Sequence, residues 1–233
     1  MNNDFLLTLK ESYIRYKKYG SRSNEKLKIL HGKIAKDISK FLNNKIYKIY
    51  SLGLFNGKEK VVKGSYNPKK IDIAITKNNQ IKCCIGVKFI MSNYSQNSNN
   101  YFENMLDETV NIRESKIPYF QIIILPDNVP YYDKNGKILK RENISQNHIQ
   151  KYINLSHKNI NNLLHIPNKT LIMLISFDDE SNIKIRNNTP KVDCFEYEDL
   201  VFSLSKTEFV FGDSVIYNDY EQFINTVVKE ILK

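Results

Sequence analysis

Between residues 64 and 113, two side chains have the types and the setting to do chemistry together: Asp72 and Lys88. The segment KIDIAIT (70–76) alternates, so Ile71, Ile73 and Ile75 share one face of a strand and Asp72 and Ala74 the other. The segment IKCCIGVKFI (81–90) returns with Ile85, Val87 and Phe89 on one face and Gly86 and Lys88 on the other. Asn78-Asn79 makes the turn between them. Asp72 and Lys88 therefore both point away from the isoleucines. A carboxylate and an ammonium placed this way suit the hydrolysis of a phosphodiester. Oxygen-only carboxylate sites favour Mg²⁺, which neutralises developing phosphate charge and activates water. A neighbouring ammonium stabilises the same charge.

The elements that must hold these residues follow from periodicity. Residues 4–18 read as a helix that Gly20 and Ser21 break. Leu27, Leu30, Ile34, Ile38 and Phe41 recur at steps of three and four, the apolar stripe of a second helix with Ser23 as its N-cap. Its opposite face carries Lys26, Lys28, Lys33, Lys36 and Lys40. Strands are expected at 46–54 and 61–66, then the two strands above. Residues 92–100 (SNYSQNSNN) read as a polar loop. A helix over 98–113 carries Phe102, Met105, Leu106, Thr109 and Ile112 on its stripe. YFQIIIL (119–125) and TLIMLISF (170–177) are near-continuous apolar runs, which fit strands buried on both faces. Residues 144–164 read as mostly helical, 192–213 as short pieces, and 219–232 as an amphipathic helix. No repeat or linker divides the 233 residues, so a single domain is expected, with an α/β fold around a central mixed sheet flanked by helices.

The order α, β, β, β, α, β resembles the core of the PD-(D/E)xK nucleases, the restriction-endonuclease-like fold. That family carries an Asp at the start of one strand and an acid-x-Lys triplet on the next, facing the same side. Asp72 matches the Asp, with Pro68 close before it, and Lys88 matches the Lys. The resemblance implies that Asp72 is the central metal ligand and that Lys88 lies beside the attacking water. The middle acid should stand at position 86, where this chain has Gly86. A subgroup of type II restriction enzymes moves that glutamate to the following helix. Glu103, 15 positions after Lys88 (103 − 88 = 15), is the candidate here, with Glu108 as the alternative on the other flank. Glu25 is a third, since some family members take a ligand from the first core helix. Lys69, Lys70 and Arg113 are candidate phosphate contacts. Asn93, Tyr94, Gln96 and Asn97 follow the catalytic strand, and Asn and Gln side chains can read adenine in the major groove.

The resemblance covers about 20–180, with 181–233 as a C-terminal elaboration. It implies a Mg²⁺-dependent endonuclease acting on double-stranded DNA. At this size a type II restriction enzyme would be a homodimer, with a companion DNA methyltransferase protecting the host. The alternatives are a repair, transposon-end or junction nuclease of the same fold, and an inactive nucleic-acid-binding protein, which Gly86 keeps open.

Composition agrees with a polyanionic partner. Lys and Arg number 35 against 25 Asp and Glu, a net charge of +10, and basic side chains release counterions from phosphate backbones. The richness in Lys, Asn, Ile and Tyr is also what an AT-rich genome produces. Cys83 and Cys84 are adjacent and Cys194 stands alone, so neither a disulfide framework nor a CxxC metal site is expected. His31, His148, His157 and His165 have no zinc spacing. The first residues lack a signal-peptide pattern and no apolar run is long enough for a membrane helix, so a cytoplasmic protein is expected.

Overall fold

The computed structural model describes residues 1–55, 57–133, 135–179 and 200–233. The helices are α1 (Asn2–Tyr19), α2 (Glu25–Ser39), α3 (Tyr94–Arg113), α4 (Gln146–Ser156) and α5 (Tyr220–Ile231). The central sheet contains β1 (Tyr47–Ser51), β4 (Ile73–Lys77), β5 (Gln80–Phe89), β6 (Tyr119–Pro126) and β9 (Lys169–Ser176) in that spatial order. β1, β4 and β5 form an antiparallel meander, and β6 and β9 then add in parallel. A parallel neighbour requires a crossover, and α3 supplies it between β5 and β6. Two short strands, β10 (Ser203–Leu204) and β11 (Val215–Tyr217), also pair with β9. Outside the sheet lie two ribbons. One pairs β2 (Lys60–Lys63) with β3 (Pro68–Ile71), the other β7 (Asn128–Tyr132) with β8 (Ile138–Asn143).

This is an α/β fold with a mixed sheet between two helical layers. One face packs Ile73, Ile75, Ile85 and Ile122 against Leu9 of α1, Ile34 of α2 and Val227 of α5. The other packs Ile123 and Leu174 against Met105 of α3 and Ile153 of α4. β6 is buried along its whole length, as its unbroken apolar run requires. Truncating a residue such as Ile122 to Ala would cost about 2–5 kcal/mol. Helices α1 and α5, outside the stretch that resembles the nuclease core, both contribute to the main core. Among the described residues, no helix is long and apolar enough to cross a membrane.

Four expectations need correction. KIDIAIT is not one strand: β3 ends at Ile71, β4 begins at Ile73, and Asp72 sits at the junction. Ile71 accordingly packs with Ala74 and Cys84 on one side, while Ile73 and Ile75 pack on the other. The residues after 92 are not a loop, because α3 starts at Tyr94. Asn93 turns the chain in a left-handed conformation (φ 52°). Tyr94 is fully buried, and the Tyr131 hydroxyl accepts from the Ser95 N–H at 2.9 Å. A contact from the β7–β8 ribbon thus caps a helix start that its own polar sequence does not announce. The position before α2 is Asn24 rather than Ser23, whose hydroxyl accepts from the Glu25 N–H. The helix expected over 144–164 ends at Ser156. Of the short pieces expected at 192–213, those before residue 200 lie outside the described residues, as does Cys194.

Candidate metal centre

The β2–β3 ribbon hands the chain to the central sheet at Asp72. Its half-buried carboxylate accepts the Val87 N–H at 2.7 Å, which pins it against the end of β5. The next residue of β5, Lys88, is exposed and lies close enough for its charge to act on Asp72. Within the ribbon, Lys60 pairs with Ile71, so Glu59, immediately before β2, comes opposite Asp72. From the other side α2 brings in His31. Ligand atoms of His31, Glu59 and Asp72 all lie within 4.8 Å of one another.

His31 reaches this position because α2 and the turn after β1 approach very closely. Gly53 has φ 76°, and a Cβ there would run into the backbone of Lys28. A Cβ on Gly32 would press on the Gly53 carbonyl. Two glycines therefore let the turn lie flat on the helix, and His31 is left with no exposed surface. Neither of its ring nitrogens has a hydrogen-bond partner.

The electrostatics follow from burial. Desolvation raises the Asp72 pKa and the Glu59 charge raises it further, against the Val87 N–H and the Lys88 and Lys69 charges, which lower it. Desolvation lowers His31 to about 4, with Glu59 opposing and Lys88 assisting. The imidazole is therefore neutral near pH 7, the form that binds a cation. Glu59 also pairs with Lys70 at 2.8 Å.

Of the acids the sequence nominates for the missing position, none joins this cluster. Glu103 is exposed on α3, and its charge acts on Lys151 of α4. Glu25, in the first turn of α2, pairs with Lys28 at 2.5 Å and Arg15 at 3.6 Å. Glu108 pairs with Lys69 at 3.0 Å and accepts the Tyr119 hydroxyl at 2.8 Å. The space over Gly86 is not left open for a glutamate. Tyr119 Oη and Gln121 Oε1 occupy it, inside contact distance of any Cβ.

The nominated DNA contacts divide in a similar way. Lys69 and Lys70 are exposed beside the cluster, each in its ion pair. Gln96 is exposed and the Asn97 amide donates to the Asn93 carbonyl. Asn93 accepts the Tyr132 N–H at 3.1 Å, and the buried Tyr94 donates its hydroxyl to the His148 carbonyl at 3.0 Å. Arg113 donates to three carbonyls, those of Ile160, Leu163 and Ile166. Asn93, Tyr94 and Arg113 are thus engaged in holding the fold together.

Sequence reasoning missed Glu59 and His31. His31 did carry a signal, since it lies four residues after Leu27 and three before Ile34, on the apolar stripe of α2. Glu59 carried none, because only the ribbon register brings it opposite Asp72. Beside Glu59 a groove of about 750 Å³ runs along edge strand β1, lined by Tyr47, Tyr50 and Phe55 with Lys48, Lys58 and Lys60. Comparison with protein-family models, curated proteins and solved structures finds no match to this chain.

Proposed function

We propose that this protein is a Mg²⁺-dependent endonuclease of the PD-(D/E)xK type that hydrolyses double-stranded DNA, working as a type II restriction enzyme. The observation that carries the reading is the convergence of Asp72 and Glu59 at the end of β4 and β5, with Lys88 next to them. The supporting frame is a meander of three antiparallel strands, a crossover helix and a parallel fourth strand. The missing acid at position 86 is supplied by Glu59 from the ribbon rather than by a glutamate of α3.

The donors present fit a divalent cation, since two carboxylates and a neutral imidazole converge within 4.8 Å of one another, with Lys70 paired to Glu59. Asp72 and Glu59 would hold the ion, and the ion supplies charge neutralisation at the phosphate and a more acidic water. Among the described residues Lys88 has no ion-pair partner, so its ammonium is available to orient the attacking water and to stabilise the pentavalent phosphate. The Val87 N–H fixes the Asp72 carboxylate and removes one of its rotational freedoms before DNA arrives. Lys69, Lys70 and the lysines of the β1 groove would neutralise phosphates on either side. As a restriction enzyme the protein would act as a homodimer, one centre per strand, beside a companion methyltransferase.

The test is incubation of the purified protein with unmethylated plasmid and Mg²⁺. Discrete bands that EDTA abolishes are expected. Asp72→Ala should remove the cutting and leave DNA binding in a gel-shift assay intact. A plasmid left whole beside a branched substrate that is cut would move the protein to the junction or repair nucleases. No cleavage of any DNA with any divalent ion would sink the enzyme reading.

A further inference from the structure

His31 is the one buried polar side chain of the centre that the proposed chemistry leaves unused. An imidazole always presents polar nitrogens, and a buried one ordinarily spends them on hydrogen bonds. His31 has no exposed surface, and both its nitrogens lack partners. One of them nevertheless lies within 4.8 Å of carboxylate oxygens of both Glu59 and Asp72. The close approach of Gly32 and Gly53 holds the ring there.

We propose that His31 is a third metal ligand, and that the centre therefore takes Mn²⁺ in preference to Mg²⁺. The inference rests on reading the cluster as a cation site. Mg²⁺ is a hard ion that demands near-ideal octahedral oxygen ligation and keeps its waters. An imidazole beside two carboxylates is a mixed nitrogen and oxygen set, which first-row transition ions accept more readily. Coordination through one nitrogen gives the ring the partner that the polypeptide withholds. Mn²⁺ keeps the oxygen chemistry that phosphodiester hydrolysis needs while tolerating that nitrogen.

The experiment uses the full chain and Mn²⁺ alone. Free Mn²⁺ is followed by its aqueous paramagnetic resonance signal during titration, with Mg²⁺ as competitor. One Mn²⁺ per chain should bind, and Mg²⁺ should displace it only at an excess of about tenfold or more. The spin-echo spectrum of the Mn²⁺-loaded wild type should contain the ¹⁴N coupling of a bound imidazole. His31→Leu should remove that coupling and weaken Mn²⁺ by roughly 10–100-fold, leaving Mg²⁺ affinity nearly unchanged. The wild-type spectrum needs no variant, so it decides the matter even if His31→Leu fails to fold. Absence of ¹⁴N coupling, or equal affinity for the two ions, overturns the role of His31. If Asp72→Ala still abolishes Mn²⁺ binding in that case, the metal centre itself survives. Failure of the wild type to bind Mn²⁺ at all overturns both.

Discussion

Helix α2 buries two ionisable side chains less than two turns apart, His31 in its middle and Asp37 in its last turn, and neither has any exposed surface. Asp37 is surrounded by donors: Lys33 at 2.6 Å, Lys40 at 2.7 Å and the Tyr220 hydroxyl at 3.0 Å. Burial pushes its pKa up, but these hydrogen bonds and charges outweigh burial and leave it lowered. The His31 ring, on the same helix, has no hydrogen bond among the described residues. Asp72, the acid beside it, has one backbone donor and a raised pKa. One end of α2 is a finished ion cluster that ties the helix to α5. The middle of the helix presents, at His31, ring nitrogens with no hydrogen-bond partner among the described residues. A protein pays for an unmet buried polar group with stability, so the contrast sets groups that build the fold apart from groups that the proposed metal centre would use.

The largest way to test this contrast is Asp72→Asn. Cleavage should fall roughly a thousandfold or more, yet the metal-free protein should melt no lower than wild type. The sign follows from the raised pKa: above it the ionised form costs the folded state stability, and Asn removes that charge while still accepting the Val87 N–H. A marked drop in Tm would show that Asp72 is structural.

Lys88→Ala comes next. It should reduce turnover by about a hundredfold while the metal affinity stays near that of wild type, because in the proposed mechanism the ammonium serves the phosphate and water rather than the ion.

At the other end of the helix, Asp37→Ala should do the reverse. Losing three hydrogen bonds, two of them to lysine ammonium groups, costs about 2 kcal/mol and lowers Tm by about 4–8 °C, with cleavage per folded molecule unchanged. This penalty has a defined pH dependence. The folded pKa of Asp37 lies below its ordinary 3.8, so its contribution is present above that value and is lost as pH falls through the lower folded value. Melting curves of wild type and Asp37→Ala should converge as the pH drops below about 4.

The smallest effect belongs to Glu103→Gln. The side chain faces solvent and Lys151 rather than the centre, so cleavage should stay within about twofold of wild type. A loss comparable to that of Asp72→Asn would restore the glutamate of α3 as the second acid and remove Glu59 from that role.

Periodicity alone was enough to place most of the frame. The apolar stripe of α2 through Ile38, the buried runs of β6 and β9, the alternation of β5 and the inward face of α5 were readable, because burial on a regular element imprints its period on the residues it buries; Phe41, expected on that stripe, lies past the end of α2 and is exposed. The same logic placed Lys88 on β5, whereas Asp72 stands at the junction of β3 and β4 rather than within a strand. The polar start of α3 was not legible, since its stabilising contacts come from Tyr131 and from the burial of Tyr94 against α4.

The sequence by itself determined an α/β chain with a lysine on β5 and an aspartate just ahead of the strand that pairs with it, because strand alternation is a local property. Tertiary structure decided which acid stands beside Asp72. Phe102 packs edge-on against Tyr152, and with α3 turned that way Glu103 lies over α4. Tyr119 and Gln121 fill the space above Gly86. The pairing of Lys60 with Ile71 sets Glu59 across from Asp72, and two glycines far apart in the chain press His31 into the same place. These outcomes depend on strand register, helix rotation and close backbone contact between distant segments, none of which leaves a period in the chain that carries them.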